Sequence, residues 1–304
     1  MKENFRPPKR WLAFGILALA LCAAAASQPG AQEAKPAHPE MLVSTAWLAE
    51  HLKDPDVVVL HVADKRSDYI RGHIPGAHYI QSDQFVDEHV GAMSELPSVQ
   101  QLKKVFEEAG VDDSSRVIIY TTAWFPLAAR AYYTLDFLGH ERTTLLDGGI
   151  EQWLNEKRPV SSEQPKFSPA TFTPRVKPAV RAMLDEVKRA VESRDGKTAI
   201  VDARPARRYT AGHLAGASNV YWLDTLVSAD SPVFRPVAEL RRIYDQAGIK
   251  PGEKVITYCE VGLQASHGYF LAKYLGYDAA MYDGSYYEWS EMQHLPVVKG
   301  EAKR

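Results

Sequence analysis

One cysteine dominates the chemistry that this chain can offer. Cys259 follows an apolar run that ends at Tyr258. The loop that it opens reads Cys259-Glu260-Val261-Gly262-Leu263-Gln264-Ala265. Helical spacing follows the loop, and at such a strand-to-helix turn backbone N–H groups converge while the helix dipole favours an anion. We therefore expect a lowered thiol pKa and predict that Cys259 is a nucleophile.

The other cysteine, Cys22, lies in a segment that we expect to be removed. Basic residues up to Arg10 precede an uncharged apolar stretch over 11–26, which ends in small residues. This pattern predicts a signal peptide over 1–26 and export to the periplasm. A retained N-terminal membrane anchor is the alternative, although about sixteen apolar residues fall short of the ~20 that a spanning helix needs. We expect no stable membrane insertion after processing.

Composition narrows the remaining function classes. The chain has 304 residues, 36 Lys+Arg against 38 Asp+Glu, and 45% apolar residues, which is typical of a packed globular protein. Basic residues are scattered, so we expect no nucleic-acid partner. The sequence contains neither HExxH nor CxxC and no glycine-rich phosphate loop. We therefore predict no metal and no cofactor.

The chain repeats itself, which predicts two copies of one domain. The recurring pieces are 71–77 with 211–217, 117–120 with 255–258, and 147–153 with 283–289. In each copy, short apolar runs alternate with stretches of helical spacing, so each copy is predicted to be a mainly parallel sheet flanked by helices. Ligands bind at the carboxyl ends of such strands, which is where Cys259 falls.

Proline-rich segments set the predicted domain boundaries. We assign 27–40 to a disordered leader, because it is polar and rich in Pro and Ala. The first domain is predicted over 41–156 and the second over 179–304. Between them, 157–178 holds five prolines and is predicted to be a surface linker.

With these motifs in place, the sequence resembles the tandem rhodanese family of sulfurtransferases. The pieces that carry the resemblance are Asp202-Ala203-Arg204, Arg208-Tyr209, Gly212-His213-Leu214-Ala215-Gly216-Ala217, the Cys259 loop, and Tyr282-Asp283-Gly284-Ser285-Tyr286-Tyr287-Glu288-Trp289. They occur in the family's order, and together with the repeated pieces of the first copy the resemblance covers nearly all of the chain after the signal peptide. The resemblance implies an α/β fold of two rhodanese-like domains, of which the second is catalytic.

The resemblance also implies that the first domain is a degenerate copy. Thr121 stands where the second copy has Cys259, and Trp124, Phe125 and Pro126 follow it. A hydroxyl without an activating base is a poor nucleophile. We expect the first domain to be non-catalytic and to wall one side of the cleft.

For the second domain, the resemblance implies sulfur transfer through a persulfide on Cys259. A small donor of the thiosulfate or 3-mercaptopyruvate class would supply the sulfane sulfur, and a thiol, cyanide or a protein would accept it. Arg208 matches a position that helps to hold anionic donors, and Asp202 is expected to orient it. The resemblance also implies that the backbone of the loop binds the substrate. The loop residues concerned are Glu260, Val261, Gly262, Leu263, Gln264 and Ala265.

The loop departs from the family pattern, which leaves the donor open. Thiosulfate-specific relatives have basic residues where this chain has Glu260 and Val261. A partner-dependent persulfide carrier without free-standing turnover is therefore the alternative function. A cysteine phosphatase is disfavoured, because none of Gln264, Ala265 and Ser266 could clamp a phosphate as arginine does.

The histidines are not expected to catalyse. His73 and His213 occupy matching positions in the two copies, including the degenerate one, which indicates a structural role at a turn. His267 lies two helical turns beyond Cys259, too far along the helix for an effective base.

Overall fold

The computed structural model describes residues 35–87, 95–165, 170–193 and 196–301. The predicted signal peptide over 1–26 lies outside the described residues. Within the part of the chain that is described, no helix is both long enough and apolar enough to cross a membrane.

The first copy folds as a five-stranded sheet covered by helices. Its strands are β1 (Leu42–Val43), β2 (Val57–Ala63), β3 (His78–Gln81), β4 (Arg116–Thr121) and β5 (Thr143–Leu146). Its helices are α1 (Thr45–His51), α2 (Arg66–Arg71), α3 (Val99–Glu108), α4 (Pro126–Phe137) and α5 (Gly149–Asn155). The strand order is β1-β5-β4-β2-β3, and every pairing is parallel.

Burial on both faces explains the continuous apolar runs of the central strands. Along β4, Val117 and Ile119 enter one core cluster, whereas Ile118 and Tyr120 enter the other. Branched residues suit such a doubly covered strand, since their side chains pack well on a pleated surface. In a sheet covered on both faces, polar side chains can reach a ligand only at the ends of the strands.

The second copy repeats the arrangement. Its strands are β6 (Arg181–Ala182), β7 (Thr198–Asp202), β8 (His213–Leu214), β9 (Ser218–Asn219), β10 (Lys254–Tyr258), β11 (Asp278–Tyr282) and β12 (Val297–Val298). Its helices are α6 (Leu184–Ser193), α7 (Ala206–Ala211), α8 (Val237–Gln246), α9 (Leu263–Leu275) and α10 (Ser285–Glu291). The parallel sheet has the order β6-β11-β10-β7-β9, while β8 and β12 form a separate antiparallel pair. The predicted fold, two α/β domains with mainly parallel sheets, is confirmed.

Helices α4 and α9 join the two copies. Tyr132 meets Phe270 edge to face with ring centroids 4.9 Å apart, and Tyr133 meets Tyr269 in the same way at 5.1 Å. Both helices are buried along most of their length. A single apolar cluster therefore runs through both copies, and each copy completes the other's core.

The leader predicted over 27–40 is described only from residue 35, and its described end makes defined contacts. The backbone N–H of Ala37 donates to the carbonyl of Tyr274 at 3.1 Å. A 3₁₀ turn over Pro39–Met41 follows and buries Met41. These contacts hold the segment against the second copy, which its polar composition did not reveal.

Candidate active site

Cys259 lies at the carboxyl end of β10, the central strand of the second sheet. Strands β7 and β11 flank β10, and α9 begins four residues after the cysteine. Between them, Gly262 adopts φ +88°, a left-handed conformation that lets the loop turn back over the strand end. Cys259 is 1% exposed, so its thiol lies inside the molecule.

Backbone N–H groups of the loop and of the first turn of α9 lie against the sulfur. Burial raises the pKa of the Cys259 thiol, and hydrogen bonds from the N–H groups of Ala265, Val261 and Gln264 act in the opposite direction. The net direction is upward, so the expected lowering of the pKa is wrong. The loop sequence predicted this cradle, meaning the set of backbone N–H groups around the thiol. It did not predict the complete burial of the thiol, whose effect on the pKa is larger.

A second set of hydrogen bonds holds the loop from behind. Ser285 has φ +54°, and its Oγ accepts from the N–H of Cys259 at 3.2 Å and donates to the carbonyl of Tyr282 at 2.9 Å. The N–H of Tyr286 donates to the carbonyl of Cys259 at 3.0 Å. Left-handed φ is costly for serine, so the Ser285 hydroxyl holds the backbone of Cys259 at the expense of local strain.

Asp202, predicted to orient Arg208, orients Arg204 instead. Arg204 Nη2 lies 2.7 Å from Asp202 Oδ2, and its Nε donates to both carboxylate oxygens. Arg204 Nη1 also reaches Glu260 Oε2 at 3.1 Å, and its guanidinium stacks 4.1 Å from the centroid of Tyr286. The prediction for Asp202 is therefore wrong in its partner, because the nearer arginine shares the buried turn.

Arg208 itself is exposed on α7. Its predicted contact with an anionic donor stays a prediction. Sequence reasoning missed Arg204, although the Asp-x-Arg spacing that would have identified it was present. Because Glu260 is paired with this buried arginine, part of its negative charge is compensated beside the thiol.

The other predicted loop residues divide by burial. Val261, Leu263 and Gln264 are half-buried, and Ala265 is buried. The carbonyl of Ala265 accepts from Thr257 Oγ1 at 2.9 Å, which fastens the first turn of α9 to β10. Gln264 Oε1 is buried and has no hydrogen-bond partner among the described residues.

The first-copy loop packs against the second copy and cannot do the same chemistry. Thr121 occupies the equivalent strand end and is 2% exposed. Trp124 lies edge-on to Trp222 with centroids 6.5 Å apart, and Phe125 lies edge-on to Phe234 at 5.4 Å. These aromatic side chains form part of the contact between the copies.

His267 is held as a neutral ring. The Thr225 hydroxyl donates to the carbonyl of Trp222 at 2.6 Å, so it accepts from His267 Nε2–H at 2.7 Å. Burial lowers the pKa of His267 to about 3. Such a group holds its proton on Nε2 and is not a general base for Cys259.

His73 and His213 have the structural role that the repeat predicted. Each ring nitrogen Nδ1 lies 2.9 Å from a carbonyl one helical turn earlier, at Tyr69 and Tyr209 respectively. Each imidazole also stacks on the tyrosine ring of that residue. These pairs fix the same turn in both copies.

The described residues contain no group of three or more His, Cys, Asp or Glu side chains that could hold a metal ion. The chemistry available at the site is therefore that of a buried thiol in a backbone cradle, flanked by Arg204 and Glu260.

Comparison with known families identifies the repeat. The family described as Rhodanese-like domain matches residues 44–156 and again residues 183–292. A curated relative from Thermus thermophilus, named Sulfur carrier protein TtuD, is 34% identical over 87% of this chain and 99% of the relative. A Thiosulfate sulfurtransferase from Corynebacterium glutamicum is 29% identical over 87% of this chain and 92% of its own length.

Solved structures share the fold. SseA from Escherichia coli, described with the 3-mercaptopyruvate sulfotransferases, superposes with a TM-score of 0.71 at 24% identity, over 81% of this chain and 98% of SseA. The anaerobic ergothioneine biosynthesis enzyme from Chlorobium limicola superposes with a TM-score of 0.75 at 22% identity, over 86% of this chain and 70% of the enzyme. At these identities the likeness shows the fold alone.

Proposed function

The chain belongs to the rhodanese-like domain family, and we propose that its second domain is a sulfurtransferase that carries sulfur as a persulfide on Cys259. The observation that carries the proposal is the thiol at the carboxyl end of β10, bound by three backbone N–H groups from the loop and the first turn of α9. These donors stabilise negative charge on the thiolate sulfur. They also stabilise the persulfide, in which the charge lies one sulfur atom further out.

The transfer runs in two displacements. The Cys259 thiolate attacks the outer sulfur of thiosulfate, forming a new S–S bond while the old one breaks and sulfite leaves with the electron pair. Cyanide or a thiolate then attacks the outer sulfur of the persulfide, and the Cys259 thiolate leaves. With 3-mercaptopyruvate, the bond that breaks is C–S, and the pyruvate carbanion equivalent takes up a proton. The loop N–H groups stabilise the negative sulfur at each stage.

Charge at the loop bears on the choice of donor. Glu260 pairs with Arg204, whose remaining nitrogens are engaged by Asp202 and the carbonyl of Gly212. No basic side chain follows Cys259 directly, so we propose that Arg208 supplies the anion contact from α7. Glu260→Arg should raise the use of thiosulfate relative to 3-mercaptopyruvate by about ten-fold in kcat/KM, since one favourable charge contact contributes about 1 kcal/mol or more. An unchanged donor ratio would show that the side chain at position 260 does not reach the donor.

Thiocyanate production tests the proposed function. The purified protein, supplied with cyanide and with thiosulfate or 3-mercaptopyruvate in turn, should form thiocyanate with ping-pong kinetics. Cys259→Ser should abolish turnover while the circular dichroism spectrum and the melting temperature stay close to wild type. Turnover that survives this substitution would exclude Cys259 as the sulfur carrier.

A partner-dependent carrier is the second candidate, and two observations favour it. The thiol is 1% exposed with a raised pKa, and a relative at 34% identity is named a sulfur carrier protein. In this case Cys259 receives sulfur from another protein and passes it to a protein acceptor. Absent turnover with small donors, together with persulfide transfer from a persulfidated protein, would favour the carrier over the free-standing enzyme.

We also propose that the chain is exported to the periplasm, on the strength of the signal-like segment over 1–26. Cell fractionation followed by N-terminal sequencing tests this. A mature chain beginning near residue 27 in the periplasmic fraction is the expected result. An uncleaved chain in the membrane fraction would indicate the retained anchor, and an uncleaved chain in the cytoplasm would refute export.

A further inference from the structure

A buried ion pair crosses from the first domain to the catalytic loop. Arg130 lies on α4 of the first domain, Asp283 follows β11 of the second, and each side chain is 1% exposed. Arg130 Nη1 donates to Asp283 Oδ1 at 2.6 Å, and Nη2 donates to Oδ2 at 3.2 Å. This bidentate geometry fixes the orientation of the carboxylate and also neutralises its charge.

Groups of the first domain fix both ends of the pair. Arg130 donates through Nε and Nη2 to the carbonyl of Phe85 at 3.3 and 3.2 Å. Asp283 Oδ2 accepts from the backbone N–H of Leu96 at 3.1 Å. Asp283 is therefore held by two separate segments of the domain that carries no nucleophile.

The pair lies against the turn that forms the cradle. A Cβ atom placed on Gly262 would be 2.4 Å from Asp283 Oδ1, 2.9 Å from the Asp283 carbonyl oxygen and 3.5 Å from Arg130 Nη1. The N–H groups of Val261, Gln264 and Ala265 bind the thiol, and Gly262 lies between the first of these residues and the other two. The position of the carboxylate consequently limits where this turn can lie.

The aspartate that matches Asp283 in the first copy has a different environment. Asp147 corresponds to Asp283, and its Oδ1 accepts from the backbone N–H of Phe234 at 2.9 Å, as Asp283 accepts from Leu96. Among the described residues, no ion pair is found at Asp147. Burial raises the pKa of Asp147 to about 6, whereas Asp283 has a guanidinium against it. Of the two matching aspartates, the one beside the Cys259 loop is the one that pairs with an arginine of the other domain.

We propose that Arg130 is a positioning residue for sulfur transfer: it holds Asp283 against Gly262, and so the first domain sets the geometry of the cradle around Cys259. The proposal rests on the proposed function only in taking Cys259 as the reacting group. Without the arginine, Asp283 would be a buried unpaired carboxylate, which water or a rearranged loop must solvate. The turn at Gly262 then moves and the N–H groups of the cradle lose their alignment on the sulfur.

The test compares two ion pairs that both hold α4 against the second domain. Arg130→Met removes the pair at the loop, and Arg130→Lys keeps its charge without the fork. Lys273→Met removes the bond between Lys273 of α9 and Asp136 of α4. Lys273 lies about 16 Å along α9 from Gly262, so this control loosens the interface without touching the cradle.

The rate at which iodoacetamide alkylates Cys259 is measured by peptide mass spectrometry across pH 6–10. Its pH dependence reports how well the cradle stabilises the thiolate, and no sulfur donor is needed. Arg130→Met should move the midpoint of the pH profile up by about one unit, because weaker N–H bonds stabilise the thiolate less. Arg130→Lys should fall between this variant and wild type. Lys273→Met should lower the melting temperature and leave the midpoint in place.

The proposal is overturned if Arg130→Met keeps the wild-type profile, or if Lys273→Met shifts it as far. Should Arg130→Met fail to fold, the double variant Arg130→Met with Asp283→Asn removes both buried charges, and it should fold with a raised midpoint. A wild-type profile in the double variant would also overturn the proposal. A protein that alkylates as expected yet transfers no sulfur would count against the proposed function alone.

Discussion

Replacing Gly262 by alanine should damage the loop through two separable effects, and the chain offers a control for one of them. Gly262 has φ +88° and Gly216 has φ +82°, so alanine is strained at both positions. A Cβ atom at Gly216 would meet nothing within 4 Å, whereas at Gly262 it would lie 2.4 Å from Asp283 Oδ1. The difference between the two variants therefore isolates the steric contact with the buried ion pair.

The expected free energies follow from these geometries. Left-handed backbone costs alanine about 1 kcal/mol relative to glycine, so Gly216→Ala should destabilise folding by about that amount. Overpacking in a rigid interior adds about 1–3 kcal/mol, since neither the Asp283 carbonyl nor the Arg130 fork can move freely. Gly262→Ala should thus cost about 2–4 kcal/mol and slow sulfur transfer by more than ten-fold, whereas Gly216→Ala keeps near-normal turnover.

Urea denaturation of both variants gives the free energies of unfolding, and thiocyanate production gives the rates. The steric argument is refuted if the two variants unfold at the same urea concentration. The argument for the loop is refuted if Gly262→Ala is destabilised as expected but transfers sulfur at the wild-type rate. In that outcome the turn at Gly262 has no part in aligning the cradle.

Two further predictions concern strain and pH. Ser285→Gly should be more stable than Ser285→Ala by about 1 kcal/mol in urea denaturation, because both lose the bond to the Cys259 N–H but only glycine relieves φ +54°; the reverse order would show that the backbone is unstrained. Asp147→Asn should match wild type near pH 4 and exceed its stability at pH 7 by up to about 3 kcal/mol. Folding raises the pKa of Asp147 from 3.8 to about 6, so the free energy of unfolding of the wild type falls as the pH rises through this interval. Asparagine does not ionise, so the variant does not lose this stability. Equal stabilities at pH 7 would show that the carboxylate is well solvated.

Local patterns predicted the fold and the nucleophile. The branched apolar run ending at Tyr258 forms the buried strand β10, and the glycine after it adopts the left-handed turn. Both follow from neighbouring residues, since strand burial and turn conformation are encoded within a few positions. Repetition of the same pieces along the chain then predicted the second domain.

Contacts between distant segments were not predictable in the same way. Arg130 meets Asp283 across 153 positions, and no local pattern pairs them. The choice between Arg204 and Arg208 as the partner of Asp202 depends on which side chain turns inward, the one in the turn after β7 or the one on α7. The raised pKa of Cys259 depends on complete burial, which is a property of both domains together. Each of these features arises from packing rather than from sequence spacing.

Intact-mass spectrometry tests the central claim most directly. The purified protein is exposed briefly to thiosulfate or to 3-mercaptopyruvate, and its mass is read before and after addition of cyanide. The account predicts a gain of one sulfur atom that cyanide reverses and that Cys259→Ser does not show. Wild-type protein that gains no sulfur from either donor would contradict a free-standing sulfurtransferase and leave the partner-dependent carrier, and a gain that persists in Cys259→Ser would contradict the assignment of the nucleophile.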